Sequence, residues 1–193
     1  MVTQFFKSIN WVDVALVVLF ARVVFISVRT GFVSELFKFL GVLSALFVSL
    51  HYYSAFAVKA AVKITLPLAS LQFIIFVGLA VAVYAVFKFL RDGILLLFKV
   101  EATHQGVDKY AAGFLGGARA VFLCSLVIFA LLLMPHDYIR KQTLSSWGYK
   151  VLAKAAPNTY NSLFHHVVGK LFEGLKFNED VFAVVAGNGS NPK

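Results

Sequence analysis

Charge and cysteine are what this chain has least of. Of its 193 residues only 14% are Asp, Glu, Lys or Arg, and its one cysteine, Cys124, lies inside an apolar run. A single cysteine excludes an intramolecular disulfide framework and reads as a small packing residue. Paired cysteines, a P-loop, G-x-S-x-G and H-E-x-x-H are all missing, which removes the chemistries those patterns carry. His165 and His166 are adjacent and diverge around a helix, while His51, His104 and His136 stand at separate ends of apolar runs, so no metal-ligand spacing exists. No catalytic, cofactor-binding or metal-binding residue is assigned, and the chain is not expected to be an enzyme. Acids are fewer than bases, 9 against 18, for a net charge of +9. The bases are scattered, without a basic stripe or an aromatic RNA-binding signature, which sets nucleic acid aside in favour of anionic lipid headgroups.

Apolar residues dominate what remains: 60% of the chain, with 21 Phe, and a mean hydropathy of +0.83. This composition predicts an all-α integral membrane protein, a bundle of four transmembrane helices with an interfacial helix and an amphipathic C-terminal tail. The runs 12–28, 32–50, 67–87 and 114–134 are the expected spans, placing the membrane domain in residues 1–135. The first run, opened by Trp11 and interrupted by Arg22, suits a retained signal anchor better than a cleaved leader. "RTGF" joins it to the second as a hairpin, with Gly31 supplying the backbone freedom, so the first two spans are expected to be neighbours. "KFLRDGILLLFKVE" puts Lys88, Arg91, Asp92 and Lys99 opposite Phe89, Leu90, Ile94, Leu97 and Phe98, the pattern of a helix lying in the interface.

Residues 136–186 form the expected tail. There "NSLFHHVVGKLFEGLKF" aligns Leu163, Phe164, Val167, Val168, Leu171, Phe172 and Leu175 on one helical face, suited equally to lipid or to the protein's own loops. Residues 187–193, "GNGSNPK", read as a disordered end, and the sequon at Asn188 is a chance-level pattern.

Small residues recur at helical spacing. Ala112, Gly116, Ala120 and Cys124 are four apart, as are Gly113 and Gly117, and in the second run Gly41, Ala45 and Ser49. Such faces let backbones approach closely in lipid, so the second and fourth spans are candidate mates; homo-oligomerisation is the sharper alternative. Asp108 and Arg119 bracket the fourth span's small face. A buried arginine costs about 2.5–3.5 kcal/mol at a helix centre, so Arg119 should reach headgroups or meet an acid. Arg22 and Arg29, with Glu35 and Lys38, would give the first hairpin a small charged cluster.

"NWVDVAL", "RTGFVSEL", "HYY" and "VDKYAAGFLGGARA" together resemble, in order and spacing, the colicin V production protein family over roughly Trp11 to Met134. The resemblance marks Asp13, Arg29, Gly31, Glu35, Asp108, Lys109, Gly116 and Arg119 as motif positions, with Ala120 where glycine is usual and Gly113 displaced. It implies a multi-pass bacterial inner-membrane protein required for production or export of a peptide toxin, or for a related envelope process. On that reading it is a non-enzymatic scaffold whose partners are the bilayer and other inner-membrane or export proteins. A small oligomeric transporter or channel subunit is the alternative. Protease-fused relatives imply both termini outside, whereas basic residues near the span ends favour the reverse. Nothing after Pro135 carries protease motifs.

Overall fold

The computed structural model describes residues 10–98, 106–172 and 174–187, and every regular element within them is a helix. Lys7, Lys99, His104 and the Asn188 sequon lie outside the described residues. Four long helices make the body: α1 (Trp11–Thr30), α2 (Phe32–Ala61), α3 (Leu68–Phe98) and α4 (Gly106–Leu133). Each contains a window apolar enough to cross a membrane, with mean hydropathies from 1.8 to 2.5.

Local chemistry sets the boundaries. Asn10 caps α1, its side-chain oxygen accepting the Val12 N–H at 3.0 Å. Gly31 ends α1 with φ of 77°, a conformation that opposes any Cβ, and α2 starts at the next residue. The helix α2 does not stop near residue 50 but continues through "HYYSAFAVKAA" to Ala61. No Gly or Pro interrupts that segment, and its alanines favour helix. Thirty residues rise about 45 Å, longer than a bilayer's hydrocarbon core, so the end of α2 projects beyond it.

The segment expected to lie separately along the interface is instead the last third of α3, which runs unbroken to Phe98. Gly93 is isolated in that segment and no proline accompanies it, so the backbone ladder has no cause to break.

The centre of the bundle is α2 and α4. Inside the molecule lie 44% and 50% of their apolar windows, against 22% for α1 and 6% for α3. α3 packs along α2, and Gly41 allows it, since a Cβ there would stand 2.9 Å from the Phe87 Cβ. α1 touches α2 only sparsely despite the hairpin and lies instead along α4. Tyr53, Phe76 and Phe129 lock α2, α3 and α4 together, with ring centroids 5.0–6.0 Å apart.

The tail folds back onto the end of the bundle away from the hairpin. It comprises α5 (Asp137–Ser145), α6 (Trp147–Leu152), α7 (Ala155–Leu163) and α8 (Asp180–Val185). The single amphipathic helix expected across residues 161–177 is not formed. α7 passes into a π-helical turn, Phe164–Val168, and helix ends at Leu171, before the positive-φ Gly174. The extra residue per turn shifts the register, so of the expected apolar face Phe164 is buried while Val167, Leu171, Phe172 and Leu175 stay exposed.

Candidate functional site

Polar groups from three spans converge on Glu35. Its place follows from the hairpin: Gly31 starts α2, the Glu35 N–H donates to the Gly31 carbonyl at 3.1 Å, and the carboxylate turns inward, fully buried. Lys38, one turn on, donates to Glu35 Oε1 at 2.6 Å, and the Thr30 hydroxyl donates to the same oxygen at 2.6 Å. Oε2 receives Arg119 of α4 at 3.0 Å and the Ser27 hydroxyl of α1 at 3.0 Å. A second Arg119 nitrogen donates to Ser27 Oγ at 3.3 Å. Both carboxylate oxygens are therefore occupied, by donors from α1, α2 and α4.

Gly116 makes this convergence attainable. A Cβ there would lie 2.1 Å from Ser27 Oγ and 2.2 Å from Ser27 Cβ, so only glycine lets α4 approach α1 at that level. Arg119 is three residues further along the same face and is thereby carried to Glu35. A Cβ on Gly113 would lie 3.5 Å from Val28, so Gly113 and Gly116 of α4 both face α1 rather than the second span. Gly117 has nothing within 4 Å of a would-be Cβ. Ala120, Ala45 and Ser49 are buried, the Ser49 hydroxyl donating back to the Leu46 carbonyl at 3.3 Å.

The remaining motif positions lie elsewhere. Asp108, expected to bracket the interface with Arg119, is partly buried in the first turn of α4, while the carboxylate Arg119 meets is Glu35. The guanidinium of Arg29 rests 4.1 Å from the Phe25 ring centroid, and Arg22 is exposed, so neither arginine enters the cluster. Asp13 works at the opposite end, accepting the Trp147 N–H at 3.1 Å and the Gly148 N–H at 2.7 Å and so capping α6. It sits at the rim of an apolar groove of about 310 Å³ between α1, α4 and α6, lined among others by Leu16, Phe20, Cys124 and Val151.

"HYY" fastens the tail. His51 Nδ1 lies 2.9 Å from the Tyr160 hydroxyl, which accepts the Asn178 N–H at 3.1 Å, and the Asn178 side chain donates to the Leu50 carbonyl at 2.7 Å. Burial pushes the Tyr160 phenol above its usual range, against a smaller opposing effect of the Asn178 bond. Sequence reasoning missed Ser27, Thr30, Tyr160 and Asn178. Ser27 and Thr30 did leave a signal, as the hydroxyls that break the apolar run before the hairpin; Tyr160 and Asn178 left none, being polar residues in a polar segment.

No curated protein and no solved structure matches the chain. The family model described as colicin V production protein matches residues 12–157, a stretch that holds the Glu35–Arg119 pair, the Gly31 hairpin, the Gly116 contact and the Asp13 cap. The chain belongs to the colicin V production protein family, and that membership connects it with colicin V production.

Proposed function

We propose that this protein is a non-enzymatic accessory or scaffold factor of a bacterial inner membrane, serving production or export of a colicin V-like peptide toxin or a related envelope process. The observation that carries the reading is the state of Glu35. A transport path needs ionisable groups able to exchange partners along a route, whereas this fully buried carboxylate is held on both oxygens by groups of the same chain. Such a cluster works as a clasp joining three spans. The Asp13 carboxylate at the rim of the apolar groove is committed to capping α6, and the Cys124 thiol in its wall is buried and donates to the Leu16 carbonyl. Large outward faces on α1 and α3 suit lipid and neighbouring membrane proteins, and Lys38, Lys88 and Arg91 around a shallow cleft suit anionic headgroups.

The test uses a toxin-secreting bacterium from which its own family member has been removed. Supplying the intact chain is expected to restore toxin to the medium, and Arg119→Met to restore little. If the chain inserts stably and secretion stays absent, the accessory reading fails. A flux of ions or peptide through liposomes carrying the purified chain alone would replace it with the transporter reading.

A further inference from the structure

Arg22 is a charge well inside a span. Arg22 is exposed on α1, eight residues before its end at Thr30 and eleven after its start at Trp11, about 12 Å and about 16 Å at 1.5 Å per residue. The packing of α1 on α4 gives the same depth independently. Gly116 faces Ser27 and Cys124 donates to the Leu16 carbonyl, an antiparallel register that sets Arg22 level with the buried Arg119. Among the described residues nothing pairs with Arg22. Its stem leaves the helix toward the N-terminus, away from the nearer membrane surface at Thr30, which works against reaching headgroups by extension.

The face around it is patterned. Trp11, Ala15, Val18, Arg22, Phe25 and Arg29 are all exposed and follow one another at spacings of four and three, the 3.5-residue period of a seam that receives another helix. Arg29 stands in the last turn against the Phe25 ring, which leaves Arg22 as the charge at mid-depth, and a polar residue so placed in a seam selects register and partner. We propose that this seam docks a transmembrane helix of a different protein, one carrying an aspartate or glutamate at the depth of Arg22.

A second copy of this chain does not fit. Copies inserted with one orientation and packed by this face are parallel, and that brings Arg22 against Arg22. The acids in the described spans are also spoken for or misplaced. Glu35 is buried in its clasp, Asp13 caps α6, Asp92 is held by Arg91, and Asp108 lies in the first turn of α4 at the level of the hairpin. The proposal deepens the accessory reading and rests on it for the existence of a partner protein. Its test, however, is read from purified components and is independent of toxin secretion.

The full chain, dye-labelled, is reconstituted in phosphatidylcholine vesicles with synthetic leucine–alanine transmembrane helices bearing one Glu, or one Gln, about 12 Å from one end. Energy transfer is expected to show about tenfold tighter association with the Glu helix than the Gln helix. Arg22→Leu should erase that preference, and Arg22→Lys should keep part of it. Because the side chain faces outward, both variants should insert and fold as the native chain does. Equal association of the Glu and Gln helices, or a Glu preference that survives Arg22→Leu, overturns the proposal. Two further results also overturn it. Loss of the preference when phosphatidylglycerol is added would make a lipid phosphate the counter-ion, and Arg22-dependent energy transfer between copies of the chain would make the partner a second copy.

Discussion

At the scale of single residues, the Glu35–Arg119 pair shows why removing one ion differs from removing both. Glu35 is wholly buried and Arg119 nearly so, and each was taken out of water or headgroups at a cost that their mutual contact offsets. Glu35→Leu strands Arg119 and Lys38 without their acid, and is expected to destabilise the protein by about 3–5 kcal/mol in detergent unfolding. Glu35→Leu combined with Arg119→Met should recover most of that loss, because Lys38, slightly exposed, can turn to the surface. A double variant no more stable than the single one would remove the clasp from the account. Sequence exposed half of this site. Glu35 with Lys38 is an i, i+3 pair visible by eye, but Arg119 belongs to another span, and helical spacing alone called for an acid without naming Glu35.

At the scale of elements, small residues at regular spacing do not contribute equally. Gly116 and Gly117 are neighbours in sequence, yet a Cβ on the first would stand 2.1 Å from Ser27 Oγ and one on the second would meet open space. Gly117→Ala is therefore expected to leave unfolding unchanged within about 0.5 kcal/mol. Gly116→Ala should cost about 1–3 kcal/mol, because the backbone of α4 must withdraw from α1 and take Arg119 out of reach of Glu35. Crosslinking of introduced cysteines across the α1–α4 seam would register the separation. The pattern of small positions was readable from the chain, but the partner was not. A bare face accepts whichever helix presents a short side chain at the right height, and Ser27 of α1 provides it.

At the scale of the whole molecule, the tail is an integral part of the bundle. Asn10 donates to the Gln142 carbonyl, Ser54 donates to Asp180, and the Ser125 hydroxyl accepts the Ala156 N–H at 2.9 Å, so α5–α8 are tied to α1, α2 and α4. Tyr160 is the hinge of this attachment and gives it a pH signature. A phenol whose folded value lies above its usual 10.0 keeps its proton longer in the folded state. Its contribution is complete below the unfolded value and fades as pH rises through the folded one. Tyr160→Phe loses the hydroxyl's bonds and should be less stable by about 0.5–1.5 kcal/mol at neutral pH. The difference from the native chain is expected to narrow above the usual phenol value, followed by unfolding midpoints up to about pH 11. A gap that stays constant over that range would exclude the Tyr160 titration.

What the sequence determined by itself was solvent and element type. Long apolar runs can satisfy their backbones in lipid only as helices, and glycine at position 31 permits the positive-φ turn between the first two. Tertiary structure decided who meets whom. α1 lies on α4 rather than α2, Arg119 finds the acid Glu35 rather than headgroups, and α3 continues straight through a segment patterned for the interface. The reason is physical: helix formation is dictated by neighbours a few residues away, whereas pairing among helices depends on which side chains arrive at the same height, and only the assembled bundle specifies that height.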